Sequence, residues 1–207
     1  MTSSDMDPRK VRRGRRQLLA LAALFFVPLA VAFWLYYGPG TWRPGGDASK
    51  GDLIDPARPL PAISLPTADG TTTGPDFLRG KWTMLYVGDG LCDDRCRKAL
   101  YLMRQSRIAL NKDMDRVQRV FLVTQRCCDR AFLTAEHPDL VVALVEDAAA
   151  AAVLEPLPPY GGVPVAVAGR IYLVDPLGNL LMSYAPDAPD KALLTDLKKL
   201  LRLSHIG

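Results

Sequence analysis

Cys92-Asp93-Asp94-Arg95-Cys96 places two thiols at a C-x3-C spacing, where an apolar strand runs into the start of a helix. Such a pair can close a disulfide, reduce one, or hold a soft cation such as Cu(I), which prefers thiolate ligands. Cys92 and Cys96 are therefore both the candidate catalytic residues and the candidate metal ligands. A helix N-terminus favours a thiolate through its unsatisfied N–H groups and dipole. Arg95, Arg97 and Lys98 act in the same direction, and Asp93 and Asp94 oppose it. Cys92, just ahead of the helix, is expected to be the more exposed thiol, and Cys96, on the first turn, to pack against the sheet.

Cys127-Cys128 forms a second pair. Adjacent cysteines close on one another only through a strained ring, so separate partners are expected. Four cysteines allow three pairings. Donation of a third thiolate by Cys127 or Cys128 to a metal at the first pair stays open. His137, before Pro138, is read as a solvated loop residue, and His205 as part of a frayed tail. Pro164 is either a cis-proline facing the cysteines or an ordinary loop proline. The chain has no glycine-rich phosphate loop and no Ser-His-Asp arrangement.

The elements that must position these thiols follow from the hydropathy pattern. Trp82 to Val87 is an apolar run of the kind found in the middle of a sheet. Ala99, Leu100, Leu102, Met103, Ile108 and Leu110 follow at roughly helical spacing. Val117 to Val123 and Leu140 to Val145 read as strands, with a short helix within Cys128 to Glu136 and another over Ala148 to Leu154. Ile171 to Val174 and Leu180 to Tyr184 flank a turn-rich joint suited to a hairpin. Lys191 to Leu203 is an amphipathic closing helix. Ile63 to Leu65 and Thr71 to Thr73 suggest a further hairpin around Ala68-Asp69-Gly70. The order, with a cysteine pair opening the first long helix, is an α/β, thioredoxin-like layout.

Ahead of this domain (residues 61–207) lie a basic tail (1–17), an uncharged span (18–37) and a Pro/Gly-rich linker (38–60). The span is about 20 residues, enough to cross a hydrocarbon core of about 30 Å. A cleaved signal peptide has a shorter apolar core and a small-residue cleavage site. This span is longer and ends in Trp34, Tyr36 and Tyr37, residues suited to a membrane interface, so it is read as a retained single-pass anchor. The preceding cations place the N-terminus inside and the domain outside. The first 16 residues hold six basic and two acidic residues, and the remainder balances at 20 of each. The basic excess is thus a topology signal and speaks against nucleic-acid binding.

Taken together, the anchor, Tyr86-Val87-Gly88 running into Cys92-x3-Cys96, the Val117 to Val123 strand and Tyr172-Leu-Val-Asp-Pro-Leu-Gly178 make the chain resemble the Sco/SenC family over roughly residues 60–203. These are membrane-tethered, thioredoxin-fold factors for copper insertion into cytochrome c oxidase. Asp129 falls near an acidic position of the family's loop after the second strand. The resemblance implies action through Cys92 and Cys96 on copper or on the thiols of an oxidase subunit, with an oxidase subunit or assembly factor as partner. The family's third copper ligand, a histidine, corresponds to Val167, within Val163 to Gly169. That departure keeps two other readings in play. One is a general periplasmic thiol-disulfide oxidoreductase. The other is a non-catalytic thioredoxin-fold scaffold for a membrane partner.

Overall fold

A computed structural model of the chain describes residues 8–37, 49–204 and 206. The chain divides into two compact units, Met1–Asp47 and Ala48–Gly207. In the first, helix α1 spans Pro8–Tyr37 and carries Pro28 within it. Its segment Arg12–Leu35 contains an 18-residue window with a mean hydropathy of 2.6 and is long and apolar enough to cross a membrane. Leu18, Leu21, Leu24, Phe25 and Phe33 stand exposed along it. Residues 38–48 and His205 lie outside the described residues.

The second unit is a six-stranded mixed sheet in the order β1-β6-β5-β2-β3-β4. Its strands are β1 (Asp52–Pro59), β2 (Trp82–Gly88), β3 (Val117–Val123), β4 (Leu140–Leu144), β5 (Ile171–Val174) and β6 (Asn179–Tyr184). β2, β3 and β4 run parallel, while β5 is antiparallel to β2 and β6 to β5. The helices are α2 (Asp94–Ile108), α3 (Arg130–Glu136), α4 (Ala148–Ala151), α5 (Val165–Ala168) and α6 (Ala192–Leu203), with a 3-10 turn over Asn111–Arg116. Strand β2, flanked on both sides, is buried along its whole length, as its unbroken apolar run requires.

Alternation along the strands divides the core. Trp82, Met84 and Tyr86 of β2 face one apolar cluster, with Phe121, Leu173, and Leu100 and Met103 of α2. Leu85 and Val87 face the other, with Val120, Leu122, Tyr172 and Val174. Cys96, Ala99, Leu100, Met103 and Ser106 are the buried stripe of α2, at the spacing that keeps one helical face on a sheet.

Three expectations change. Asp52–Pro59, read as the end of a linker, is a strand. Its prolines are tolerated because β1 is an edge strand that pairs only with β6, with a register shift between Leu53 and Arg58. The hairpin around Ala68-Asp69-Gly70 is present but shortened to one Pro66–Thr72 bridge, with Thr67 N–H donating to the Thr71 carbonyl and Thr73 N–H to the Leu65 carbonyl, each at 2.9 Å. Asp69 is consumed there by hydrogen bonds from Thr67 and Thr71. His137 is buried, not solvated. It ends α3, stands edge-on to Phe132 at 5.1 Å, and its Nδ1 lies 3.2 Å from a nitrogen of the fully buried Arg119. Arg119 in turn forms an ion pair with Asp139 and reaches the Leu100 carbonyl at 3.5 Å.

Candidate functional site

The cysteine pair sits where β2 ends and α2 begins. Asp93 is the N-cap of α2, and its carboxylate accepts the Cys96 N–H at 2.9 Å. Cys92 adopts φ 52°, the left-handed region that non-glycine residues enter at a cost of roughly 1–3 kcal/mol. The backbone thereby turns Cys92 toward the helix. Its Cα lies 5.0 Å from that of Cys96, and the two sulfurs are joined in a disulfide. Both residues are only 2% exposed. The expectation that Cys92 is the open thiol and Cys96 the covered one is therefore corrected. The left-handed turn, which no local motif announces, buries both.

The pair opens into a cavity of about 300 Å³ that Tyr86, Arg95, Arg126 and Val167 also line. Burial, with Asp93 adding to it, pushes the Tyr86 phenol up to about 12, so it stays protonated beside the sulfurs. Asp89 accepts the Leu91 N–H at 2.9 Å and pairs with Arg126 at 2.6 Å. These contacts hold the Asp89 carboxyl below its ordinary range. Val167, on α5, is 47% exposed. Pro164 opens α5 at φ −58°, and the cis peptide among the described residues is Asp55–Pro56. Pro164 is therefore not a cis-proline.

The second cysteine pair lies on the neighbouring loop. Cys127 is exposed and Cys128 half-buried. Cys92 and Cys96 are committed to each other, so the first pair offers Cys127 and Cys128 no partner. Arg97 ties the loops together: it donates to the Cys92 carbonyl at 3.2 Å and to the Asp129 carboxylate at 2.9 Å, and lies 4.0 Å over the Phe132 ring. Asp129 also caps α3 by accepting the Phe132 N–H at 3.1 Å. This clamp escaped the sequence reading, since its partners lie 32 residues apart. The aspartate just before a short helix was the local signal available.

Among the described residues, no three His, Cys, Asp or Glu side chains converge on a point that could hold a metal ion. Val167 lines the cavity beside the two sulfurs, and no histidine among the described residues does. His137, 4% exposed and engaged with Arg119, is not available as a ligand.

Residues 82–204 match the family model described as transmembrane-like, thioredoxin-like, C-terminal domain, and residues 8–39 match that of the transmembrane-like, N-terminal domain. No curated protein matches the chain. Among solved structures, copper-bound ScoI of Bradyrhizobium japonicum is 22% identical, with a TM-score of 0.54, covering 69% of this chain and 99% of that one. Copper-bound yeast Sco1 is 17% identical at TM-score 0.59, covering 72% and 91%. A putative protein disulfide isomerase from Bacteroides thetaiotaomicron is 18% identical at TM-score 0.54, covering 74% and 94%. At such identities the likeness establishes a shared thioredoxin-like fold.

Proposed function

The chain belongs to the transmembrane-like, thioredoxin-like family, and from that premise we propose that it is a membrane-tethered, Sco-like factor of respiratory-oxidase assembly. It works by thiol-disulfide exchange at Cys92 and Cys96. The observation that carries the reading is the composition of the cavity: two joined sulfurs and Val167, with no histidine and no third sulfur among its lining residues. The chemistry of the site is therefore that of a dithiol rather than of a complete metal cage. Metal-binding cysteines of an apo-subunit must be reduced before they can take up copper. A thiolate of the reduced pair attacks the subunit's disulfide, a mixed disulfide forms, and the second cysteine of the pair resolves it. The subunit leaves as a dithiol, and Cys92–Cys96 closes.

The N-terminal span holds the domain at the bacterial inner membrane, facing the periplasm, where oxidase copper sites are loaded. Reporter fusions after Gly40 and after the C-terminus should both report an outside location. Deleting the gene should lower assembled oxidase, with the subunit's copper-site cysteines accumulating as a disulfide. A Cys92→Ser/Cys96→Ser chain should fail to restore either. Wild-type oxidase levels with that variant would overturn the proposal. A copper-carrying role is favoured by the likeness to copper-bound relatives, but it needs a donor from the partner. General periplasmic oxidoreductase activity would show instead as disulfide defects spread over many proteins.

A further inference from the structure

Away from the cysteine site, charge is segregated along helix α6. Residues 191–203 hold four basic side chains, Lys191, Lys198, Lys199 and Arg202, and one acidic side chain, Asp196. The four cations are exposed, whereas Asp196 is 4% exposed. Its carboxylate accepts the Tyr184 hydroxyl at 3.1 Å and the Lys50 and Gly51 N–H groups at 2.7 and 3.0 Å. Leu193, Leu197 and Leu201 are buried on the core side of the helix. Lys191, Lys198 and Arg202 recur one helical face away from them, at helical spacing. Among the described residues, none of these three makes an ion pair. Beyond residue 16 the chain balances at 20 charges of each sign, so the excess on α6 is local.

We propose that this basic face of α6 docks on an anionic lipid surface and so sets the orientation of the domain on the membrane. The bonds from Lys50 and Gly51 to Asp196 fasten the start of the domain to α6 itself. Residues 38–49, which join the apolar span to that point, reach no more than about 43 Å even when fully extended. A retained span therefore keeps α6 at a high effective concentration beside the headgroups. Attraction between its cations and lipid phosphates then acts within about 10 Å at 0.1 M salt. The face presents charged groups on flexible stems, and its one large exposed apolar residue is Leu203 at the end of the helix. That suits a layer of phosphates better than a shaped protein pocket, which needs buried anchors. Lys98, two residues beyond Cys96, lies 3.9 Å from Asp190, just ahead of α6. Docking of α6 thus also sets the height of the Cys92–Cys96 end of α2 above the headgroups. The inference rests on the reading of residues 18–37 as a retained anchor and is independent of the thiol chemistry.

The test places the full chain in lipid discs of neutral phosphatidylcholine, or of phosphatidylcholine mixed with anionic phosphatidylglycerol. Brief acetylation with an uncharged reagent, followed by mass mapping, reads the exposure of each lysine. At low salt, Lys191 and Lys198 should be acetylated roughly threefold or more slowly in the anionic discs, and added salt should abolish the difference. Equal rates in the two lipids at low salt overturn the proposal and leave the face to an acidic protein partner. In a Lys198→Glu/Arg202→Glu chain, Lys191 should react at the same rate in both lipids. Protection that survives this variant or high salt overturns the proposal as well. The comparison of lipids on the unchanged chain decides the matter if the variant does not fold. Failure of the anchor reading appears elsewhere, as a cytoplasmic signal from the reporter fusions or as a mature chain lacking residues 18–37.

Discussion

Asp93 accepts the Cys96 N–H at 2.9 Å, so the residue that caps α2 also fixes the backbone of the inner cysteine. Helix α2 thus begins where the site requires it to. Replacing Asp93 by Ala removes this acceptor and should destabilise the outer domain by about 1 kcal/mol, whereas Asn or Ser should cost only a few tenths. Urea unfolding of the full chain in detergent, followed by near-ultraviolet circular dichroism, measures this. A midpoint unmoved by Asp93→Ala would remove the cap from the account of the site.

Stability should fall as the solution is acidified, chiefly through His137. Its burial, with Arg119 and Arg104 nearby, pushes its imidazole down to about 4. The unfolded chain, with an ordinary histidine near 6.5, binds the proton first as pH drops. The contribution is therefore complete above about 6.5 and is lost progressively as pH falls toward 4, on the order of 3 kcal/mol at most. Burial alone would raise the Asp139 carboxyl, but bonding to Arg119 and the charges of Arg119 and Arg107 outweigh it and hold it below its ordinary range. It adds a further loss at lower pH, of the same sign. A His137→Asn chain should show a flatter pH dependence of the urea midpoint between 6.5 and 4. An unchanged slope would rule His137 out as its source.

Arg119 is fully buried, and its charge is answered by Asp139. Removing one member of a buried pair strands the other, at a cost of roughly 3–5 kcal/mol. Asp139→Ala should therefore destabilise the domain by about that amount, reduced where the Leu100 carbonyl and His137 still bond Arg119. Adding Arg119→Met should recover a large part of the loss, because the uncompensated charge goes with it. A double variant no more stable than Asp139→Ala would show that Arg119 matters through its packing.

The parts of this architecture that were legible beforehand are those written in local pattern. The run Trp82 to Val87 is apolar at every buried step but Thr83, so a central strand followed directly, and the cysteine pair ahead of an apolar helical stripe marked the start of α2. What escaped depends on partners distant in sequence or on backbone torsions. Pro56 and Pro59 looked like linker because nothing local shows that β1 needs only one hydrogen-bonding edge. His137 looked solvated because Arg119, which occupies it, lies 18 residues earlier on another element. Cys92 looked exposed because a left-handed residue between strand and helix leaves no composition signal. The placement of Val167 was legible for a different reason: the family resemblance marked that position, and the structure puts Val167 on the wall of the cavity that holds both sulfurs.

That placement carries the last prediction. Two thiolates leave Cu(I) short of a third donor, and Val167 fills the corresponding position with a hydrocarbon. Its side chain is 47% exposed on the short helix α5, so an imidazole can be introduced there without opening the core. With the cysteines reduced, Val167→His should bind Cu(I) at least tenfold more tightly than the unchanged chain, since imidazole and thiolate are both suitable copper ligands. Competition against a Cu(I) chelator, using the full chain in detergent, reads the difference. A Val167→His/Cys96→Ser chain should lose the gain, which separates a completed site from adventitious binding by the new histidine. Equal affinity in Val167→His and the unchanged chain would show that position 167 is not where the third donor belongs.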